Sequence, residues 1–153
     1  MKPSADPLRV GLKIVNGNED LGIPTYSTPG ASGMDLRAAL AEPLVIGPME
    51  RAHVPTGVAA EIPSGFEGQV RPRSGLALER GVTVLNAPGT IDSDYRGEIG
   101  VILVNLGIES TTICRGDRIA QLVVSPVRQV AWQQRSDLNE THRGSGGFGH
   151  TGT

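Results

Sequence analysis

Glycine and proline punctuate this chain along its length, 21 and 11 of them in 153 residues, and that spacing decides what it can become. In a helix interior they cost about 1 and 3 kcal/mol each relative to alanine. Long helices are therefore disfavoured and many turns are required. The stretches between these breaks are short, and they alternate or run apolar. Leu8, Val10, Leu12 and Ile14 alternate with Arg9, Gly11 and Lys13, the period of a half-buried strand. Met34, Leu36 and Ala38 alternate with Asp35 and Arg37. Further short strands are predicted over 44–46, 51–54, 58–62, 66–70, 82–85, 99–104, 110–113, 119–124 and 130–133. Only residues 74–80, SGLALER, suit a helix, of about two turns, closed by Gly81.

Strands this short at this spacing point to an all-β sandwich, jelly roll or distorted barrel. Residues 1–138 read as one β domain, because the chain is long enough for one core and not for two. From Asn139 the periodicity stops, and 139–153, with RGSGGFGHTGT over 143–153, reads as a mobile arm unable to build a core. Aromatic residues make up 3% of the chain, so the core must be Val, Ile, Leu and Ala, with Trp132 packed late in it. A net charge of −2 argues against a nucleic-acid surface. Bound phosphates would have to be met by a few placed arginines. A lone Cys114 excludes an intrachain disulfide and fits a reducing compartment. No apolar leader and no run of 18 apolar residues is present, so neither export nor a membrane span is expected, and the expected location is cytoplasmic.

Residues 85–105, LNAPGTIDSDYRGEIGVILVN, carry more chemistry than a turn needs. Two residues suffice to reverse a hairpin. Here the connection between the 82–85 and 99–104 strands holds Asp92, Asp94, Tyr95 and Arg96. Solvated turn residues are the plain reading of such aspartates, but the cluster looks more like a site.

Five segments in order resemble the five motifs of the trimeric dUTPases: 31–38 (ASGMDLRA), 71–78 (RPRSGLAL), 86–97 (NAPGTIDSDYRG), 115–123 (RGDRIAQLV) and 143–152 (RGSGGFGHTG). Any one is weak alone; five in order and spacing are specific. The resemblance implies a jelly-roll-like, β-clip-like barrel and a homotrimer with three shared active sites. It implies Mg²⁺-assisted hydrolysis of dUTP to dUMP and pyrophosphate, which supplies dUMP for thymidylate synthesis and keeps uracil out of DNA. Asp92 matches the position that orients and deprotonates the attacking water, a task suited to a carboxylate within hydrogen-bond reach. Arg73, Ser74 and Gly75 match phosphate contacts, with Ser74 preceding the helix; its plain reading is an N-cap. Gln121 and Asp35 resemble residues that hold phosphate oxygens or the water shell of Mg²⁺. No protein-only metal site is expected, since Mg²⁺ binds chiefly through substrate phosphates.

In that family uracil sits in the hairpin, against Asn86 and the backbone around Gly100, with Thr90, Ile91 and Asp92 beside it. Main-chain groups can mimic a pairing partner, and a site of fixed hydrogen bonds rejects a mismatched base. Tyr95 is expected under the deoxyribose, leaving no room for a 2′-hydroxyl. Arg143 would clamp the terminal phosphates and Phe148 would cover the uracil ring. Asp117 and Arg118 are expected to organise the turn before the 119–124 strand, and the three histidines show no metal-ligand spacing. The nearest rival is a dCTP deaminase, which shares the architecture but places a Glu where this chain has Ile102. A catalytically inert nucleotide-sensing trimer and a nucleic-acid-binding β module compete more distantly.

Overall fold

The computed structural model describes residues 7–148, and Gly149 and His150 of the arm lie outside them. Two four-stranded sheets enclose the core. One has the order β1 (Gly11–Ile14), β4 (Arg51–Glu61), β8 (Glu98–Asn105), β6 (Val82–Val84). The other has the order β2 (Met34–Arg37), β10 (Arg118–Pro126), β5 (Phe66–Arg71), β7 (Gly89–Ile91). A two-stranded ribbon, β3 (Leu44–Ile46) with β9 (Thr111–Ile113), closes one side. All named ladders are antiparallel. The inward residues are aliphatic, as the aromatic-poor composition requires: Leu36, Ile46, Val54, Ile99, Val101, Leu103, Ile113 and Ile119 are fully buried. Among the described residues no helix is long and apolar enough to cross a membrane.

The one α-helix among the described residues, α1 (Ser74–Arg80), ends as the sequence requires. Gly81 takes the left-handed conformation (φ 68°) and its N–H bonds to the Ala77 carbonyl. A side chain at Gly81 would also run into the Gly107 backbone, so the position is doubly restricted.

Four expectations are corrected. The 51–54 and 58–62 strands are one strand, β4, which bulges between Pro55 and Ala59 instead of turning. The Thr56 hydroxyl donates to the Ile99 carbonyl at 2.6 Å, and Gly57 N–H donates to the Glu98 carboxylate at 2.7 Å, so β8 itself holds the bulge. The expected hairpin of 82–85 with 99–104 does form, but its connection crosses over: β7 leaves to pair with β5 in the other sheet. Residues 130–133 form no strand. Trp132 is 94% exposed and does not pack in the core of this chain. Regular structure ends at Pro126; residues 127–148 have none, although Val127 N–H still bonds to the Gly65 carbonyl.

Candidate active site

Register across the second sheet assembles the first half of the site. Asp35 of β2 pairs with Gln121 of β10, which pairs in turn with Arg71 of β5. Paired residues in a ladder share a face, so the three side chains stand in a row. Arg73 and Ser74, at the end of β5 and the start of α1, close over this row. The Arg73 Nε donates to Asp35 Oδ1 at 2.9 Å, and Arg118 Nη1 donates to Asp35 Oδ2 at 3.4 Å. Gln121 donates through Nε2 to the Pro72 carbonyl at 3.1 Å, and Gly33 has no side chain because that of Gln121 fills the space. A concavity of about 610 Å³ is lined by Asp35, Arg71, Arg73, Ser74, Gly75, Arg118 and Gln121, among others. A larger hollow of about 690 Å³, between α1 and the 107–112 turn, holds none of the candidate residues.

The charge of the concavity opposes that of the chain. Three guanidiniums face one carboxylate within it, against a net charge of −2 overall. Such local excess draws a polyanion to one spot without making the surface basic. Ser74 is the first helical residue and not the residue before the helix; the extended Arg73 caps it with no side-chain bond. The first helical hydrogen bond runs from Ala77 N–H to Arg73 O, and a side chain added at Gly75 would meet nothing. Ser74 and Gly75 therefore offer a hydroxyl, unpaired N–H groups and open space together.

The second half lies at the edge of β8. Leu85 N–H bonds to Ile102 O, so Ile102 aims its main chain toward the β6 side. Residues two apart aim the same way. Gly100 thus presents its N–H and C=O on that edge, beyond the end of β6. Asn86, Thr90, Asp92 and Tyr95 are exposed. The Tyr95 hydroxyl donates to Glu98 O at 2.9 Å, which fastens the phenol beside the same edge, and Tyr95 N–H closes a turn on Asp92 O at 3.1 Å. The Ala87–Pro88 peptide is cis. Ile91 differs in that its side chain packs against the core, which leaves its backbone for any ligand. Ile102 is half-buried on β8, opposite His53.

Asn86, Asp92, Tyr95 and Gly100 are absent from the lining of the arginine-rich hollow. The described part of the arm, 139–148, joins neither half. Arg143 donates to Gly146 O within the arm at 2.9 Å, and Phe148 is fully exposed. Among the described residues no group of three His, Cys, Asp or Glu could hold a metal. Arg118 was expected only to shape a turn, yet it reaches the site. A bulge between Arg118 and Ala120 shifts the register, so Arg118 pairs with Arg37 and joins the Asp35 face. Asp117 does shape the turn: Cys114 N–H donates to its Oδ2 at 2.8 Å.

A family model described as dUTPase matches residues 19–152. The deoxyuridine 5′-triphosphate nucleotidohydrolase of Rhizobium meliloti is 54% identical over 99% of this chain and 96% of that protein. The enzyme of the same description from Wolbachia pipientis wMel is 54% identical over 95% and 96% respectively. Among solved structures, the dUTPase of Staphylococcus bacteriophage 80alpha with dUPNHPP superposes with a TM-score of 0.85 at 26% identity, covering 95% of this chain and 99% of that one. Motif order, sheet topology and these likenesses have one common explanation: the chain belongs to the dUTPase family.

Proposed function

We propose that the two halves come together between subunits of a homotrimer, where Asp92 activates the water that converts dUTP to dUMP and pyrophosphate. Hydrolysis of dUTP is the activity of the family, and the finer assignments are inferred from the geometry. The observation that carries them is the separation itself. A hollow suited to phosphates and a strand edge suited to a base occur in one chain, yet none of the strand-edge residues lines the hollow. Neighbouring copies would unite them. Apolar side chains left bare after β10, Val130, Trp132 and Leu138, suit burial against those copies.

In this scheme Arg73, Ser74, Gly75 and Gln121 hold the phosphates, and Arg143 clamps the terminal ones when the arm closes. Gly100 main-chain groups and Asn86 read the uracil edge, with Thr90 and the Ile91 backbone beside them, Tyr95 under the deoxyribose and Phe148 over the base. Asp92 takes a proton from water as its oxygen bonds to the α-phosphorus, and the bond from that phosphorus to the bridging oxygen breaks. Pyrophosphate leaves with the electron pair. The donors near the phosphate hollow are oxygens of one carboxylate and one amide, too few for a protein cage and fit for Mg²⁺ carried by the substrate. Asp35 and Gln121 would reach such an ion through water. When bound, Mg²⁺ would neutralise charge on the phosphates. A reaction drawing on the nucleotide pool suits a cytoplasmic enzyme.

Incubation with Mg²⁺ and dUTP, dCTP, dTTP or UTP in ¹⁸O-water tests this reading. Pyrophosphate from dUTP alone, with the label in dUMP, supports it. Ammonia from dCTP would favour the deaminase, although Ile102 offers no ionisable group for that chemistry.

A further inference from the structure

The imidazole of His53 occupies the space over Gly100 that a side chain there would fill; a Cβ built on Gly100 would overlap the His53 ring. The two are diagonal neighbours on the outer face of the first sheet, since His53 pairs with Ile102 and Pro55 pairs with Gly100. Diagonal positions of an antiparallel pair are within reach of an aromatic ring. Gly100 turns its N–H and C=O to the β6 side, so its pairing with Pro55 on β4 supplies no ladder bond to them, and glycine is the most freely rotating residue. Something must nevertheless keep its N–H and C=O aimed at the open edge.

We propose that His53 is a positioning residue for base recognition: its ring packs on Gly100 and fixes the main chain that reads uracil. This rests on the assignment of base reading to Gly100. The ring lies on the sheet face while the reading groups lie in the sheet plane, so His53 acts through Gly100 and does not touch the nucleotide. Size complementarity makes the pair reciprocal. A larger residue at 100 requires a smaller one at 53.

Steady-state kinetics of His53→Ala, Gly100→Ala and the double variant test the proposal, with circular dichroism confirming that each is folded. In His53→Ala, KM for dUTP is expected to rise roughly fivefold to tenfold, the scale of one loosened hydrogen bond, with kcat little changed. Gly100→Ala is expected to raise KM at least as much, because the new methyl meets the ring. Adding His53→Ala to Gly100→Ala is expected to recover part of that loss. An unchanged KM in His53→Ala, or a double variant no better than Gly100→Ala alone, overturns the proposal. The Gly100 amide resonance of the ¹⁵N-labelled protein, titrated with dUPNHPP, separates the two levels. A resonance that moves while KM stays unchanged in His53→Ala refutes only the role of His53. A resonance that does not move refutes base reading at Gly100, and the proposal with it.

Discussion

Arg73 is fixed in place by Asp35, whose Oδ1 accepts from its Nε at 2.9 Å while Oδ2 faces Arg118 at 3.4 Å. One carboxylate thus spaces two guanidiniums that would otherwise repel. Both partners of the shorter pair are about three-quarters buried, so the bond is less screened than a surface ion pair. Nη1 of Arg73 also donates to the Arg118 carbonyl at 3.4 Å, so the guanidinium is held at two of its nitrogens.

Asp35→Asn keeps the shape and removes the charge. The expected result is a rise in KM for dUTP of about tenfold, with a smaller change in kcat, because the lost interaction pre-organises phosphate binding. Initial-rate measurements over a range of dUTP concentrations check it.

Asn105 at the end of β8 is fully buried and makes three bonds. Its Nδ2 donates to Ile46 O at 2.9 Å and to Glu109 O at 2.8 Å, and its Oδ1 accepts from Gly107 N–H at 2.9 Å. Asn105→Ala would leave those main-chain groups unpaired. The variant is expected to lose about 2–4 kcal/mol of stability, read as a lower urea midpoint.

Much of this was legible in the sequence, and the failures have physical causes. Gly81 ended α1 as expected because a left-handed cap leaves glycine almost alone as a choice. The Pro55-Thr56-Gly57 run reads as a turn, but a bulge uses the same residues, and the decisive bonds come from Glu98 and Ile99, far along the chain. Strict alternation puts Arg118 and Gln121 on opposite faces. The bulge that puts them together leaves no local signature. Asn105 ends an apolar strand and looks like a loop residue until its partners at 46 and 109 are known. Residues 130–133 alternate like a strand, yet they pair with none of the described strands. The candidate residues of 71–78 and 86–97 come from the resemblance, and register explains why Asp35, Gln121 and Arg71 stand on one face.

Arg115 ties the short 3₁₀ turn Glu19–Leu21 to the loop before β10, donating to Asp20 and to the Gly17 carbonyl. That hydrogen bond, with the guanidinium charge, holds the Asp20 carboxyl below its ordinary range. A lowered folded-state pKa contributes stability above the unfolded value, about 3.9, and that contribution vanishes as pH falls through the lower folded value. Wild type is therefore expected to exceed Asp20→Asn in urea midpoint by a constant margin near neutrality. The two should converge below about pH 4. A margin that persists in acid would show that the charge is not its source.

Deleting residues 143–153 removes Arg143 and Phe148 and none of the strands among the described residues. The truncated protein is expected to keep its circular dichroism and its oligomeric state while turnover of dUTP falls on the order of 100-fold. Unfolding of the truncated chain would make the arm structural.

The proposed mechanism rests on Asp92, and one paired measurement judges it: kcat of Asp92→Asn beside its dissociation constant for dUPNHPP. The variant keeps the side-chain shape but cannot accept the proton from water. The predicted result is a fall in kcat of at least about 1,000-fold with affinity within roughly threefold of wild type. Turnover near the wild-type rate, or affinity lost in step with turnover, would contradict the assignment.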